Sequence, residues 1–264
     1  MKKRIFRYFN FVLLFLSAFV LSCVNSEEYK KIKKEFRDVE YNEDFETFDS
    51  IYASIPDYSD VSSTINSMHT VFNGEILLSY ESAGLYTSSK NTAVAIGMYI
   101  ADLGYVRHFE RVQFCKDYLE ALKVLVQKMA VGARDFNKMI PEFEKNLNNS
   151  DRLFELTDSL MNSGNVLLSN SEMYGISALV LGGLWLETTY IGLMHSEELS
   201  KNEFIEKLSG HFKILGQINL LFDCLSDESV ISELKDDLRN IQEKGPENQS
   251  LLADIVEVRN KFLL

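Results

Sequence analysis

The chain has 264 residues and a formal net charge of −12, with 39 acidic against 27 basic residues. A chain this acidic is poorly suited to nucleic acid, because binding there depends on neutralising phosphates with basic side chains. The same charge disfavours a broad electrostatic hold on anionic lipid headgroups.

The first 22 residues have the features of a secretory signal. A basic start from Met1 to Arg7 precedes an apolar run, and Ser22 stands directly before Cys23. A basic region, a short apolar region and a small residue at the cleavage point are typical of signal peptides. The following cysteine resembles the lipobox of bacterial lipoproteins, in which the thiol is acylated and becomes the mature N-terminus. The sequence therefore predicts a signal peptide over 1–22 and lipidation of Cys23.

An uncleaved N-terminal membrane helix is the alternative interpretation of this segment. The apolar run from Ile5 to Val24 is at the short end of the roughly 20 residues that a transmembrane helix needs. Cleavage is therefore favoured. It removes four basic residues and no acid, which leaves 23 basic residues against 39 acids and a net charge of −16. The acyl chains would supply the membrane attachment, at about 0.8 kcal/mol per buried CH₂ group.

Residues 23–48 are rich in charge and poor in aliphatic side chains, which is typical of a polar tether or a short solvated helix. We expect a single α-helical domain over 49–264, because its apolar side chains recur with the period of an α-helix nearly throughout. The predicted helices are 59–72, 75–83, 90–109, 111–130, 137–147, 151–168, 171–194, 201–223, 227–243 and 247–262. Strand signals are nearly absent, and residues 74–80 are the one ambiguous stretch.

Two stretches, 92–106 and 174–194, are apolar almost all round, which is typical of helices at the centre of a protein. A second membrane span over 174–194 is disfavoured, because Glu187 and two threonines interrupt it. Small residues form a stripe on each helix: Ala93, Gly97, Ala101 and Gly104 on the first, and Gly175, Ala178 and Gly182 on the second. Such stripes permit close approach of two backbones, so we expect these two helices to cross each other directly.

The two apolar stretches also share a pattern at an offset of 85 residues. A glycine, a carboxylate and a tyrosine occur in the same order in both: Gly97 and Gly182, Asp102 and Glu187, Tyr105 and Tyr190. The sequence therefore predicts an all-α bundle of antiparallel helical hairpins. Internal duplication, with packing like that of tetratricopeptide repeats or of a solenoid, is a further interpretation.

Asp102 and Glu187 are the most unusual side chains, because each lies in an otherwise apolar helix. An ionised carboxylate in such a place costs several kcal/mol unless it is paired or hydrogen-bonded. One interpretation is a buried polar site with Tyr105 and Tyr190, in which facing acids bind a metal or act as an acid–base pair. The favoured interpretation is structural, with each carboxylate satisfied by a tyrosine, by His108 or by a free backbone N–H.

Common catalytic motifs are absent from the sequence, which has no P-loop, no Gly-x-Gly-x-x-Gly, no His-Glu-x-x-His and no Glu-x-x-His. We expect the four scattered histidines at the surface or at helix ends. Besides Cys23, the chain has Cys115 and Cys224, which form either one disulfide or two buried thiols. We therefore predict no catalytic residue, no metal site and no cofactor, and we interpret the chain as a non-enzyme.

Gly97 to Tyr105 spell Gly-Met-Tyr-Ile-Ala-Asp-Leu-Gly-Tyr, and Gly182 to Glu187 spell Gly-Gly-Leu-Trp-Leu-Glu. With these motifs, most of 52–195 resembles a family of uncharacterised helical proteins from Bacteroidetes, which carry Gly-x-Tyr-x-Ala-Asp-Leu-x-Tyr and Gly-Gly-x-x-Glu cores. The second match has one extra residue. The resemblance implies a helical fold and a bacterial phylum, and it brings no known activity.

The resemblance also bears on the membrane face. In that phylum, acids soon after a lipidated cysteine can direct export to the cell surface, and Glu27 and Glu28 are similarly placed. We therefore expect a lipid anchor in the outer membrane, with the domain on the periplasmic or the cell-surface side.

Three functional hypotheses follow from these features. The first is a non-enzymatic interaction or scaffold module, held at the membrane by acyl chains and working with an envelope protein partner. The alternative is a helical protein that binds a small molecule or a metal through buried Asp102 and Glu187. A third is a surface-exposed ligand-binding protein for nutrient capture or host contact.

Overall fold

The computed structural model describes residues 30–32, 34–36, 45–55, 71–129, 141–146, 148–169, 174–196, 200–225 and 230–264. Cys23 and the predicted signal peptide lie outside these ranges. The described chain is all-α without strands, which confirms the predicted class of a multi-helix bundle. Its α-helices are α1 (Phe45–Ser54), α2 (Ser89–His108), α3 (Val112–Met129), α4 (Ser150–Ser169), α5 (Tyr174–Met194), α6 (Lys201–Asp223), α7 (Ser232–Lys244) and α8 (Leu251–Phe262).

Helices α2 to α6 begin and end within three residues of the predicted bounds, whereas α7 and α8 begin four or five residues later than predicted. The predicted helix over 75–83 was wrong. Short 3₁₀ segments occur there instead, at Gly74–Ile76 and Tyr80–Leu85. Part of the backbone between them bonds to side chains of other helices, and these bonds replace the ladder of an α-helix. Most of 59–72 lies outside the described residues.

Helices α2 and α5 cross at the centre of the bundle and have the most extensive contact of any described pair. A Cβ atom added to Gly97 would lie less than 3.0 Å from the carbonyl oxygen of Val180, closer than real Cβ contacts allow. Gly183 faces the carbonyl of Val94 in the same way. The missing Cβ atoms thus permit backbone-to-backbone contact, which confirms the direct crossing.

The small-residue stripe predicted for α5 was wrong at one position. Gly182 packs against Leu234 and Leu238 of α7, and Gly183 takes the place against α2. Gly97 and Gly183 are therefore the two glycines at the crossing of α2 and α5. The proposed duplication instead aligns Gly97 with Gly182. The internal duplication stays a prediction.

The other described helices surround this central pair. Helix α3 packs on α2, helices α4, α6, α7 and α8 contact α5, and α7 also lies against α6 and α8. In a solenoid each unit contacts only its sequence neighbours, so this arrangement differs from solenoid packing. Helix α5 is long and apolar enough to cross a membrane by length and composition, but it is buried by its neighbours as the core helix of the bundle.

Part of the predicted tether over 23–48 contacts the domain. The side chains of Ile32 and Phe36 are buried, and the Phe36 N–H donates to the Ile32 carbonyl at 2.9 Å, as in one helical turn. In α1, the ring of Phe48 packs on Tyr174 with centroids 4.5 Å apart. The exact start of the domain stays a prediction.

Cys115 is a free thiol, fully buried on α3. Burial raises its pKa to about 12, so the thiol is protonated and behaves as a small apolar side chain. Of the two alternatives for Cys115 and Cys224, the structure has no disulfide between them.

Replacing Gly97 with alanine is expected to lower the free energy of unfolding by about 2 kcal/mol or more, because the new Cβ forces two backbones apart. Gly210 in α6 is the matched control, since a Cβ there meets no atom within 4 Å. Gly210→Ala is expected to change stability little or to raise it by up to about 1 kcal/mol. Chemical denaturation measures both effects, and a G97A chain as stable as its parent would contradict the close contact.

Candidate functional site

The connector segment (residues 71–88) leads into α2 and contains the two 3₁₀ segments. The Tyr118 hydroxyl of α3 donates to the carbonyl of Leu78 at 2.6 Å, and the Tyr99 hydroxyl of α2 donates to the carbonyl of Ser79 at 2.6 Å. Buried backbone groups need such partners, because an unpaired one costs about as much as a lost hydrogen bond. Side chains of the central bundle therefore fix the path of this segment.

Asp102 is fully buried and bonds to the same segment. Its Oδ2 accepts the Leu78 N–H at 3.0 Å, while its Oδ1 accepts no hydrogen bond. The carboxyl also lies in hydrogen-bonding contact with that of Glu187. Burial, followed by the negative charge of Glu187, raises the pKa of Asp102 well above its usual range. The raised pKa favours the protonated form of Asp102, in which the carboxyl can donate to Glu187.

Glu187 is held by a cation from the last helix. Arg259 of α8 donates from Nε and Nη2 to the two carboxylate oxygens at 2.6 and 2.8 Å. Its guanidinium lies 4.2 Å from the ring centroid of Tyr190, and Nη2 approaches the Ile76 carbonyl at 3.5 Å. Burial raises the pKa of Glu187, and the two parallel charge-assisted hydrogen bonds from Arg259 oppose that shift by favouring the ionised carboxylate. Helices α2, α5 and α8 and the connector segment are thereby joined in one network.

The network contains three of the four residues predicted for a buried polar site. Asp102 and Glu187 face each other, and Tyr190 lies under Arg259. Tyr105 is bonded elsewhere. Its hydroxyl contacts His195 Nε2 at 2.9 Å and accepts the backbone N–H of Asn73, also at 2.9 Å, so it fixes the connector segment at a second point.

Arg259 was missed by the sequence analysis. The signal is its place on α8, where it follows Ile255 by four residues and precedes Phe262 by three, so all three lie on one face. Ile255 and Phe262 are buried, and this apolar face docks on the domain. A single cation on such a face is expected to meet a buried anion, and Glu187 was the candidate.

The chemistry open to the network is limited by its burial. Neither Asp102 nor Glu187 is exposed to solvent, and Arg259 supplies the cation beside Glu187. Within the described ranges, no group of three His, Cys, Asp or Glu side chains is placed to hold a metal ion. A cavity between α5 and α6, lined in part by Thr188 and His211, measures about 10 Å³ and does not include the two carboxyls. That volume holds one water molecule.

Two histidines, His195 and His211, are buried. His211 is buried, its ring stacks on Trp185 with centroids 5.3 Å apart, and burial lowers its pKa to about 4. His195 follows the end of α5, but its side chain is buried against Tyr105. The expectation of a surface or capping role was wrong for His211, because the large aromatic surface of Trp185 provides a partner inside the core. His69 lies outside the described residues.

No protein-family model, no curated protein and no solved structure matches the chain. The resemblance of 52–195 to helical proteins of Bacteroidetes therefore stays a prediction.

Asp102→Asn is expected to change the free energy of unfolding by less than about 1 kcal/mol, because the amide donates to Glu187 and accepts from Leu78 as the protonated acid does. Glu187→Gln is expected to cost about 3–5 kcal/mol, because it leaves a buried guanidinium without its carboxylate. Asp158→Asn is the control. Asp158 accepts two hydrogen bonds from Arg107, but its side chain is 44% exposed, so about 1 kcal/mol or less is expected. Equal costs for E187Q and D158N would contradict the buried network.

The pH dependence of stability tests the proton on Asp102. Its folded-state pKa lies above the unfolded value of about 3.9, so its contribution is complete below the unfolded pKa and is lost as the pH rises through the folded pKa. The stability of the parent relative to D102N is therefore expected to fall as the pH is raised above about 4. Denaturation across a pH series measures this difference, and parallel profiles for the two proteins would show an ionised Asp102.

Proposed function

We propose that the protein is a bacterial lipoprotein of the outer membrane that works as a non-enzymatic interaction or scaffold module. The observation that carries the proposal is the N-terminal sequence, with a basic start, a short apolar run and Ser22 before Cys23. The thiol of Cys23 would be acylated and would hold the domain at the membrane. Glu27 and Glu28 suit export to the cell surface, and a periplasmic position is the other outcome.

The buried network supports a scaffold rather than a reaction centre. Asp102 and Glu187 were the best candidates for chemistry, and each has a clear structural partner in Leu78 or Arg259. A protonated acid and a guanidinium together balance the charge of the two carboxyls, so the network needs no bound cation to be electrically neutral. Its effect is to fix the connector segment and α8 on the central helices, which gives the domain a defined surface.

Binding of a metal or a small molecule at Asp102 and Glu187 remains the alternative. The two carboxyls do face each other, as that hypothesis requires. Solvent does not reach them, however, and a ligand would have to displace Arg259 from Glu187. We therefore favour the scaffold, whose partner is a protein of the cell envelope. Crosslinking in intact membranes followed by purification tests this, and an absence of any stable partner would oppose it.

Cys23→Ala is expected to abolish incorporation of a labelled fatty acid. The protein is then expected to be absent from the membrane-bound, acylated pool. Cys224→Ala is the control, because Cys224 is a half-buried cysteine far along the chain, and labelling should persist. Mass spectrometry of the N-terminal peptide reports the acyl groups directly. Fatty-acid labelling that survives in C23A would refute the anchor.

A further inference from the structure

A basic cluster stands directly after the predicted anchor in an otherwise acidic chain. Residues 30–37 contain five basic side chains and one acid. Residues 38–264 contain 18 basic side chains against 36 acids, a net charge of −18. Five of the 23 basic residues of the mature chain thus fall within eight positions, and the charge of the protein is strongly asymmetric along its length.

The structure shows which side chains of this segment face the domain and which face solvent. Ile32 and Phe36 are buried on the domain, one helical turn apart. Lys30, Lys31 and Lys34 are exposed, and no ion pair of the described residues includes them. The apolar side chains therefore hold the turn on the domain while the three ammonium groups are presented to the surroundings.

The length of chain between the cluster and the anchor limits their separation. Lys30 follows Cys23 by seven residues, which span at most about 25 Å when fully extended. Electrostatic attraction between exposed charges acts over about 8 Å at physiological ionic strength. A lipidated Cys23 therefore allows the lysines to reach the headgroup layer without unfolding any described helix.

We propose that Lys30, Lys31 and Lys34 form a docking surface for anionic phospholipid headgroups and orient the domain on the membrane. This inference rests on the proposed lipid anchor. Basic residues beside a membrane attachment point each contribute measurably to binding of anionic lipid, and an acyl anchor combined with a basic patch is a known way to hold a protein at a membrane. The acidic remainder of the chain is repelled by the same surface, so this face turns towards the bilayer and the rest turns away.

The test uses the full protein purified from membranes and reconstituted into two kinds of vesicle. One kind is phosphatidylcholine alone, and the other also contains phosphatidylglycerol. Lysine acetylation rates are measured by mass spectrometry. Acetylation of Lys30, Lys31 and Lys34 is expected to be at least about fivefold slower on the anionic vesicles, and high salt should remove the difference. Lys213 of α6 is exposed and is the internal control, with equal rates on both.

Equal acetylation of the three lysines on both vesicles overturns the docking surface. Protection in intact cells without protection on anionic vesicles also overturns it, and indicates an acidic protein instead of lipid. Flotation with phosphatidylcholine vesicles separately tests the acyl anchor. If the protein does not float with phosphatidylcholine vesicles, the acyl anchor is refuted. The acetylation rates of the three lysines with and without anionic vesicles then still test the lysine surface on its own.

Discussion

Two carboxyl groups lie where the central helices of this bundle meet, out of reach of water, and most of the architecture around them follows from that placement. For one buried acid, Asp102, burial and the adjacent anion favour the protonated form, because two adjacent anions in an apolar core are costly. The other, Glu187, is paired with a cation, which Arg259 supplies from the last helix. The protonated acid, Asp102, also binds the Leu78 N–H of the connector segment. Burial of Asp102 and Glu187 thus recruits the C-terminal helix and an irregular segment to the same point.

The residues that stabilise the fold are different from those that carry the proposed function. The polar residues of the core hold helices together, and the reciprocal glycine contacts bring the two central backbones close enough for the carboxyls to meet. The features on which the proposed function rests belong to the N-terminal part of the chain. Cys23 is proposed to attach the chain to a membrane, and the exposed lysines after it are proposed to set the orientation. A partner in the envelope would then meet the remaining, acidic surface.

The parts of the fold that depend on local pattern were predictable from the sequence. The bounds of α2 to α6 follow from periodicity, and the central position of α2 and α5 follows from their apolar character on all sides. What depends on distant contacts was not. Arg259 and Glu187 are 72 residues apart, so no local pattern pairs them. The connector segment was predicted as a helix over 75–83, because its hydrogen bonds to tyrosines of other helices have no sequence signature. The small-residue stripe of α5 was assigned to Gly182 instead of Gly183. A shift of one residue moves the contact to a different face of the helix.

Hydrogen exchange at the Leu78 amide tests the buried network most directly. This amide lies between two 3₁₀ segments, outside any α-helix, where exchange is ordinarily fast. Because Asp102 accepts its hydrogen bond in the closed core, we expect it to exchange as slowly as the central amides of α2 and α5. An exchange rate like that of exposed loop amides would contradict the network and, with it, the structural role of the buried acids.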